Sequence, residues 1–351
     1  MKNGKIGYAV VGLGIGRAHM DAAASSERAD LIAVCDLIEK KLDAAKKKYP
    51  YVLTYTDFDE MIENPNVDVV SICLPSSMHA EYACRAMAKG KHVLIEKPID
   101  ITPEAAERIE AARVKYGRVA AVVHQNRYNA PMDPIKEAVD AGRLGKLAVA
   151  TFGVKWYRER SYYENSWHGT WDVDGGGSLM NQAVHTVDLM QWLMGKVKSV
   201  SSVINICNHD IETEDVTASV ITFESGAVAT FVSTTCAYPG ISTEISLYGT
   251  KGSIEADADL LKTWKLASVD DDVDEEDEEE EMLAKYGAGN GRLKAEDPTL
   301  KFGHEAVVED IISAVLDGHD PRIMPTEAIK SVRIVDAIYR SAKTGQTVYL
   351  D

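Results

Sequence analysis

Two periodicities divide the chain. Up to about Asn126, short continuous apolar runs alternate with stretches whose apolar residues recur at helical spacing; beyond it, apolar and polar residues alternate one by one. The first pattern predicts strands over 5–11, 31–35, 67–74, 92–95 and 119–123, and helices over 18–25, 40–49, 57–62, 79–89 and 103–116. Strands that read as apolar throughout are covered on both faces, and strand and helix in turn build a parallel, doubly wound sheet. The second pattern predicts strands over 147–156, 197–206, 216–223, 227–234, 243–248 and 253–256, with a hairpin turn at Ser225-Gly226. A run of strands after a run of strand–helix units implies a second domain with a large, mostly antiparallel sheet. Helical patterns over 301–317 and 326–343 close the chain. The expected fold class is therefore α/β, with a doubly wound parallel domain over 1–125 and an α+β domain over 126–351.

One segment departs from both patterns. In Gly175-Gly-Gly-Ser-Leu-Met-Asn-Gln-Ala-Val-His185, three glycines and Ser178, a candidate N-cap, lead into a helix expected over 179–193. On it Asn181, His185 and Asp188 fall on one face at i, i+4 and i+7, while almost every other position is apolar. A helix that is apolar around most of its girth is buried, so this polar stripe is either satisfied in the core or lines a cavity.

Composition adds limits. At 351 residues, with 45% hydrophobic and 26% charged residues, the chain is long enough for two ordinary globular domains. No apolar run approaches the roughly 20 residues that span a bilayer, and the first residues lack a signal-peptide cleavage pattern, so a cytoplasmic location with no membrane partner is the default expectation. Five widely spaced cysteines read as reduced core residues with no metal-ligand spacing, and no metal is expected. The net charge of −17 argues against nucleic acid as a partner. Eleven of those charges sit in Asp270–Glu281, which leaves −6 elsewhere. Self-repulsion should keep that run solvated, as a mobile loop or frayed helix, with a cation or partner site as the alternative.

The apolar run over 5–11 feeds directly into Gly12-Leu13-Gly14-Ile15-Gly16, followed by a helical pattern and a second strand ending in Asp36. The third glycine comes one place earlier than in the usual dinucleotide fingerprint, and Arg17 occupies its customary slot. Asp36 lies twenty residues beyond Gly16, where a carboxylate accepts hydrogen bonds from a ribose and repels a 2′-phosphate. NAD is thus expected over NADP, although Lys40 and Lys41 stand close by in sequence. In a doubly wound sheet, ligands bind beyond the carboxyl ends of the strands. The residues there, Leu74, Pro75 and Ser76 with His79 after them, Glu96 and Lys97, and Asn126 and Arg127, complete the expected cofactor and substrate edge. Lys97 is either a surface amine or a functional group aimed by Pro98.

Three ordered motifs, "LPSSMH" from Leu74, "HVLIEKP" from His92 and "GGGSLMNQAVH" from Gly175, together resemble the Gfo/Idh/MocA oxidoreductase family. The likeness runs along essentially the whole chain, through "RLGK" at Arg143, "LYGTKGSIE" at Leu247 and the closing "AIYRSAKTGQTV". It implies a Rossmann domain that binds NAD, and a second domain that binds substrate and whose outer sheet face makes dimer or tetramer contacts. It further implies that Lys97 and His185 flank a reacting hydroxyl. Histidine's ordinary pKa near 6.5 suits a base that removes the hydroxyl proton as hydride leaves. Asn181 stands where many inositol dehydrogenase-like members have an aspartate, so it is expected to orient a hydroxyl or the imidazole.

Between the first two strands of the second half, the seventeen residues Trp156 to Asp172 hold three tryptophans, three tyrosines and two arginines. Aromatic faces and guanidinium groups suit a sugar ring, a base or a carboxylate, so Tyr157, Arg158, Arg160, Tyr163 and Trp167 join Lys97, Arg127, Asn181 and His185 as substrate candidates. The alternative is an oligomer contact. The resemblance points most closely to members that oxidise the 3-hydroxyl of a nucleotide sugar or glycoside. The expected function is an NAD-dependent dehydrogenase of a pyranose ring hydroxyl, at C3. The alternatives are an inositol dehydrogenase and, from another class, a non-catalytic NAD-binding sensor.

Overall fold

The computed structural model describes residues 4–267, 275–287 and 303–350. They form two compact units. The first begins with β1 (Ile6–Val11), α1 (Gly16–Ser25), β2 (Ala29–Cys35), α2 (Glu39–Lys48), β3 (Leu53–Tyr55), α3 (Phe58–Glu63) and β4 (Val69–Ile72). It continues with α4 (His79–Ala88), β5 (His92–Ile95), α5 (Pro103–Tyr116) and β6 (Ala120–Val122). All six strands are parallel, in the order β3-β2-β1-β4-β5-β6. β1 and β4 are buried at every position, which is why they read as unbroken apolar runs. The strand order reverses between β1 and β4, and the crevice at that switch point is where such sheets bind ligands. Local chemistry sets the helix ends. Asp57 caps α3 by accepting the amides of Asp59 and Glu60, and α5 starts at Thr102 and Pro103 and stops at left-handed Gly117.

The second unit contains α6 (Met132–Asp140), β7 (Leu147–Lys155), α7 (Val184–Met194), β8 (Val197–Asn205), β9 (Val216–Phe223) and β10 (Val228–Thr234). β11 (Ser242–Gly249), β12 (Gly252–Asp257), β13 (Leu260–Leu266) and α8 (Glu275–Tyr286) follow. After α9 (Gly303–Asp317) and α10 (Pro325–Thr344), β14 (Val348–Tyr349) ends the chain's last sheet. The eight strands run in the order β13-β12-β11-β7-β10-β9-β8-β14 and are antiparallel except for β7 against β10. Ala150, Phe152 and Val154 of β7 point to the buried face, where α7 packs. No described helix is long and apolar enough to cross a membrane.

Three expectations change. The single boundary after residue 125 does not hold, because Gly303–Val332 belongs to the first unit, where α9 buries Ala306, Val307 and Ile311 and packs on α1. Over 275–281 the acidic run takes the helical one of its two expected forms, opening α8, but it is not wholly solvated: Arg143 forks onto Glu278 at 3.1 and 2.8 Å while Trp264 Nε1 donates to it at 3.0 Å. Opposite charge from Arg143 and Lys265 offsets the self-repulsion there, while residues 270–274 lie outside the described residues. The helix expected over 179–193 is a π turn, Ser178–Gln182, followed by α7.

Candidate active site

In the first unit, the chain turns sharply out of β1 at Gly12, whose φ is +86° and where a Cβ would lie 2.2 Å from the Cys73 carbonyl oxygen. Only glycine fits there, and the close approach draws the loop onto the end of β4. Nothing lies within 4 Å of a Cβ built on Gly14, and Ile15 is exposed, so this side of the loop is open to a ligand. Gly16 starts α1, whose free amides suit a pyrophosphate. Asp36 is buried at the end of β2; its carboxylate accepts the Leu13 amide at 2.7 Å, the Ile38 amide at 2.9 Å and Lys41 Nζ at 3.1 Å. Burial alone would raise its pKa, but these donors outweigh it and hold the carboxyl below its ordinary value. The glycine loop, the open face beside Gly14 and the charged Asp36 fit NAD.

The remaining strand ends join into one network. His79, buried at the start of α4, lies 2.8 Å from the Leu74 carbonyl oxygen and 2.7 Å from that of Pro98, tying the 74–76 turn to the turn after Lys97. Glu96 is buried and receives His19 Nε2 at 2.9 Å, His304 Nε2 at 3.2 Å and the Lys97 amide at 3.0 Å. His19 Nδ1 in turn hydrogen-bonds Ser71, which hydrogen-bonds Tyr8. Burial would raise Glu96, but the two imidazoles keep it well below the usual range. Glu96 thus fixes the backbone beneath half-buried Lys97, which precedes a cis proline. Ser76 is buried; Leu74 and Pro75 are half-buried at the same edge. His19, Glu96 and His304 were not foreseen as a group, because they come from α1, β5 and α9.

In the second unit the glycine-rich segment is clasped by one residue. Glu214 accepts the Gly177 amide at 3.0 Å and the Leu179 amide at 2.8 Å through its carboxylate, and the Ser178 amide at 2.9 Å through its own carbonyl. A Cβ on Gly177 would stand 1.7 Å from that carbonyl oxygen, which is why glycine is required. Ser178 does not cap the turn through its side chain; its hydroxyl bonds Ser233. Burial outweighs the amides and Tyr339 and pushes the Glu214 carboxyl up to about 7.

The turn delivers Asn181, Gln182 and, at the first turn of α7, His185, all buried. Asn181 Nδ2 donates to Asp174 at 2.6 Å and lies 3.3 Å from His168, whose ring stacks on Tyr162 at 4.5 Å with the planes 7° apart. Trp167 lies against the same imidazole at 4.0 Å. Arg158 sits between Trp156 and Tyr162, about 5 Å from each ring. Asn181, Arg158 and Trp167 therefore belong to one aromatic and polar surface of this unit, joined by Tyr162, His168, Asp174 and Gln182, while His185 follows four residues after Asn181 in the chain.

Other candidates have different work. Asp188 accepts from two guanidinium nitrogens, Nε and Nη2, of buried Arg127 at 2.7 Å, and Trp192 stacks on the guanidinium. Arg127 thereby anchors α7, and Asn126 is half-buried in the turn just before it. Tyr163 is buried with its hydroxyl on Thr235 and its ring on His209; Tyr157 packs edge-on against Tyr238; Arg160 is exposed. The signal that could have exposed Tyr162 and His168 was their place in the same aromatic loop.

Two family models cover nearly the whole chain: residues 6–124 match the oxidoreductase family's NAD-binding Rossmann fold, and residues 136–350 match its C-terminal alpha/beta domain. A 1-carboxy-3-chloro-3,4-dihydroxycyclohexa-1,5-diene dehydrogenase of Comamonas testosteroni is 31% identical over 62% of this chain and 55% of its own length. The D-glucoside 3-dehydrogenase of Escherichia coli is 28% identical over 58% of each. The chain thus spans little more than half the length of these two relatives. Among solved structures, the WlbA dehydrogenase of Bordetella pertussis, in complex with NADH and UDP-GlcNAcA, superposes with a TM-score of 0.88 and 29% identity, over 100% of this chain and 99% of that one.

Proposed function

The chain belongs to the Gfo/Idh/MocA oxidoreductase family, and on that premise we propose that it is an NAD-dependent dehydrogenase of a secondary ring hydroxyl, at C3, of a pyranose sugar, glycoside or nucleotide sugar. The observation that carries this reading is the surface of the second unit where buried Asn181, on the π turn, stands beside the stacked Tyr162 and His168, with buried His185 following in the first turn of α7. A buried imidazole next to an aromatic platform suits a sugar ring that must give up a hydroxyl proton. The glucoside 3-dehydrogenase supports C3 as the position, and the WlbA complex supports a nucleotide sugar as one form of the substrate.

In this reading His185 takes the proton of the reacting hydroxyl and Lys97 hydrogen-bonds the same oxygen. NAD held at the Gly12 to Gly16 loop and Asp36 would supply the hydride acceptor through which the carbinol carbon becomes a ketone. Asn181, held by Asp174, orients the ring. Leu74, Pro75, Ser76, His79, Glu96 and Asn126 complete the cofactor edge around Gly12 to Gly16 and Asp36. We place a homo-oligomer contact on the exposed sheet face, where Val149, Val203, Val220 and Val228 are solvent-accessible. A panel of pyranoses, glycosides, nucleotide sugars and inositols, with NAD and NADH absorbance as the signal, tests the reading. Turnover of a pyranose at C3 supports it; turnover of inositols alone, or none at all with NAD bound, overturns it.

A further inference from the structure

Beside Asn181 and Tyr162 the second unit holds two polar atoms out of water that have no hydrogen-bond partner among the described residues: Nε of Arg158 and Oε1 of Gln182. Gln182 is 5% exposed, and its amide nitrogen makes only long contacts, 3.4 Å to the Tyr162 hydroxyl and 3.3 Å to Asn181 Oδ1. A buried donor or acceptor left unmade costs about 1–3 kcal/mol, so such atoms in a folded protein ask for a reason.

Arg158 is built to stay where it is. Its amide donates to the Thr235 carbonyl at 2.9 Å, and its own carbonyl lies 2.9 Å from His209 Nε2, whose Nδ1 is 3.0 Å from the Asp215 carboxylate. The side chain lies between the Trp156 and Tyr162 rings, with one long contact, Nη1 to the Tyr157 carbonyl at 3.5 Å. Among the described residues no carboxylate pairs with it, whereas Arg28, Arg85, Arg113, Arg127, Arg143 and Arg340 all have one. A guanidinium pinned between two rings, with the Tyr162 hydroxyl and the Tyr157 carbonyl beside it but no carboxylate on its planar fork, matches an oxyanion.

Building on the sugar-dehydrogenase reading, we infer that Arg158 and Gln182 form an anion subsite, so that the preferred substrate is a pyranose bearing a carboxylate or phosphate, with Arg158 taking the oxyanion and Gln182 Oε1 accepting a ring hydroxyl. Tyr162 links the two, since its ring carries Arg158 and its hydroxyl meets Gln182. Glucose and methyl glucoside lack the group that this fork recognises, whereas UDP-glucose keeps its diphosphate and differs from UDP-glucuronate by the carboxylate alone.

Calorimetric binding to the NADH-loaded protein tests this without turnover. The pairs are glucuronate against glucose, glucose 1-phosphate against methyl glucoside, and UDP-glucuronate against UDP-glucose. The anionic sugar should bind at least roughly tenfold tighter in one pair, or about 1.4 kcal/mol, and raising salt should shrink that gap. The pair that shows it separates a carboxylate from a phosphate. Arg158→Met, which keeps the stacked stem, should reduce the preference to within about twofold, and Gln182→Leu should weaken both members of a pair alike. Equal affinity for anionic and neutral sugars in the parent protein, or a preference that survives Arg158→Met, overturns the inference. The salt titration on the parent protein decides the matter should a variant fold poorly. An anion preference with no NADH formed from any sugar leaves the subsite standing and sinks the dehydrogenase reading; turnover without the preference does the reverse.

Discussion

Glu214 holds three consecutive amides of the segment that carries Asn181, from a position almost wholly out of water. Its carboxyl, ordinarily near 4.5, is pushed up to about 7, so the folded protein keeps a proton there that the unfolded chain releases above about 4.5. Stability from the neutral carboxyl is therefore complete below about pH 4.5 and lost as pH rises through 7, by about 3 kcal/mol in all. In Glu214→Gln that loss should vanish: with denaturation midpoints taken from pH 4.5 to 8.5, the parent's should fall as pH rises while the variant's holds, so that the variant gains on the parent. Parallel profiles would show that Glu214 does not titrate in this window. At the other site, Asp36 keeps its charge through three donors, so NAD should be preferred to NADP by at least tenfold in kcat/KM, and Asp36→Ser should narrow the gap. Lys41 at 3.1 Å works against this preference, and an NADP preference in the parent would show that it prevails.

At the scale of elements, α7 is fixed through its flank by Arg127, whose guanidinium is spent on Asp188 inside the core. Asp188→Ala strands that charge and should cost about 3–5 kcal/mol in urea denaturation, whereas a loss under about 1 kcal/mol would mean that water reaches the pair. The partner lies 61 residues away, which is why sequence spacing made Arg127 a substrate candidate and Asp188 a neighbour of Asn181. The same limit explains the π turn: apolar periodicity found a helix from Leu179, but the i−5 bond from Ala183 to Ser178 arises where Glu214, in the loop two residues before β9, clasps the start. The cluster of Tyr8, His19, Ser71, Glu96 and His304 is invisible to spacing because five separate segments supply it. By contrast β5, α5 and β9 were legible to the residue, since a continuous apolar run, a Thr-Pro start with a glycine stop, and a run rich in β-branched residues are local signals. The acidic run misled because like charges in sequence say nothing of Arg143 and Lys265, which fold against α8.

For the whole molecule, the eight-stranded sheet leaves Val149, Val203, Val220 and Val228 exposed on one face, and apolar residues grouped on a flat sheet face mark a contact surface. Light scattering should find a dimer or tetramer, and Val220→Glu with Val228→Glu should yield smaller species; a monomeric parent would leave that face without a partner. The central proposal, that Lys97 and His185 act on one hydroxyl, is tested most directly by turnover of Lys97→Ala, His185→Ala and the double variant on the best sugar found. Circular dichroism and NAD titration should show each variant folded and cofactor-bound. Each single variant should lose roughly 10²–10⁴-fold in kcat, and the double little more than the worse single, because both act at the same step. A single variant that binds NAD and turns over within roughly threefold of the parent would contradict the account for that residue, and losses that multiply in the double variant would contradict a shared step.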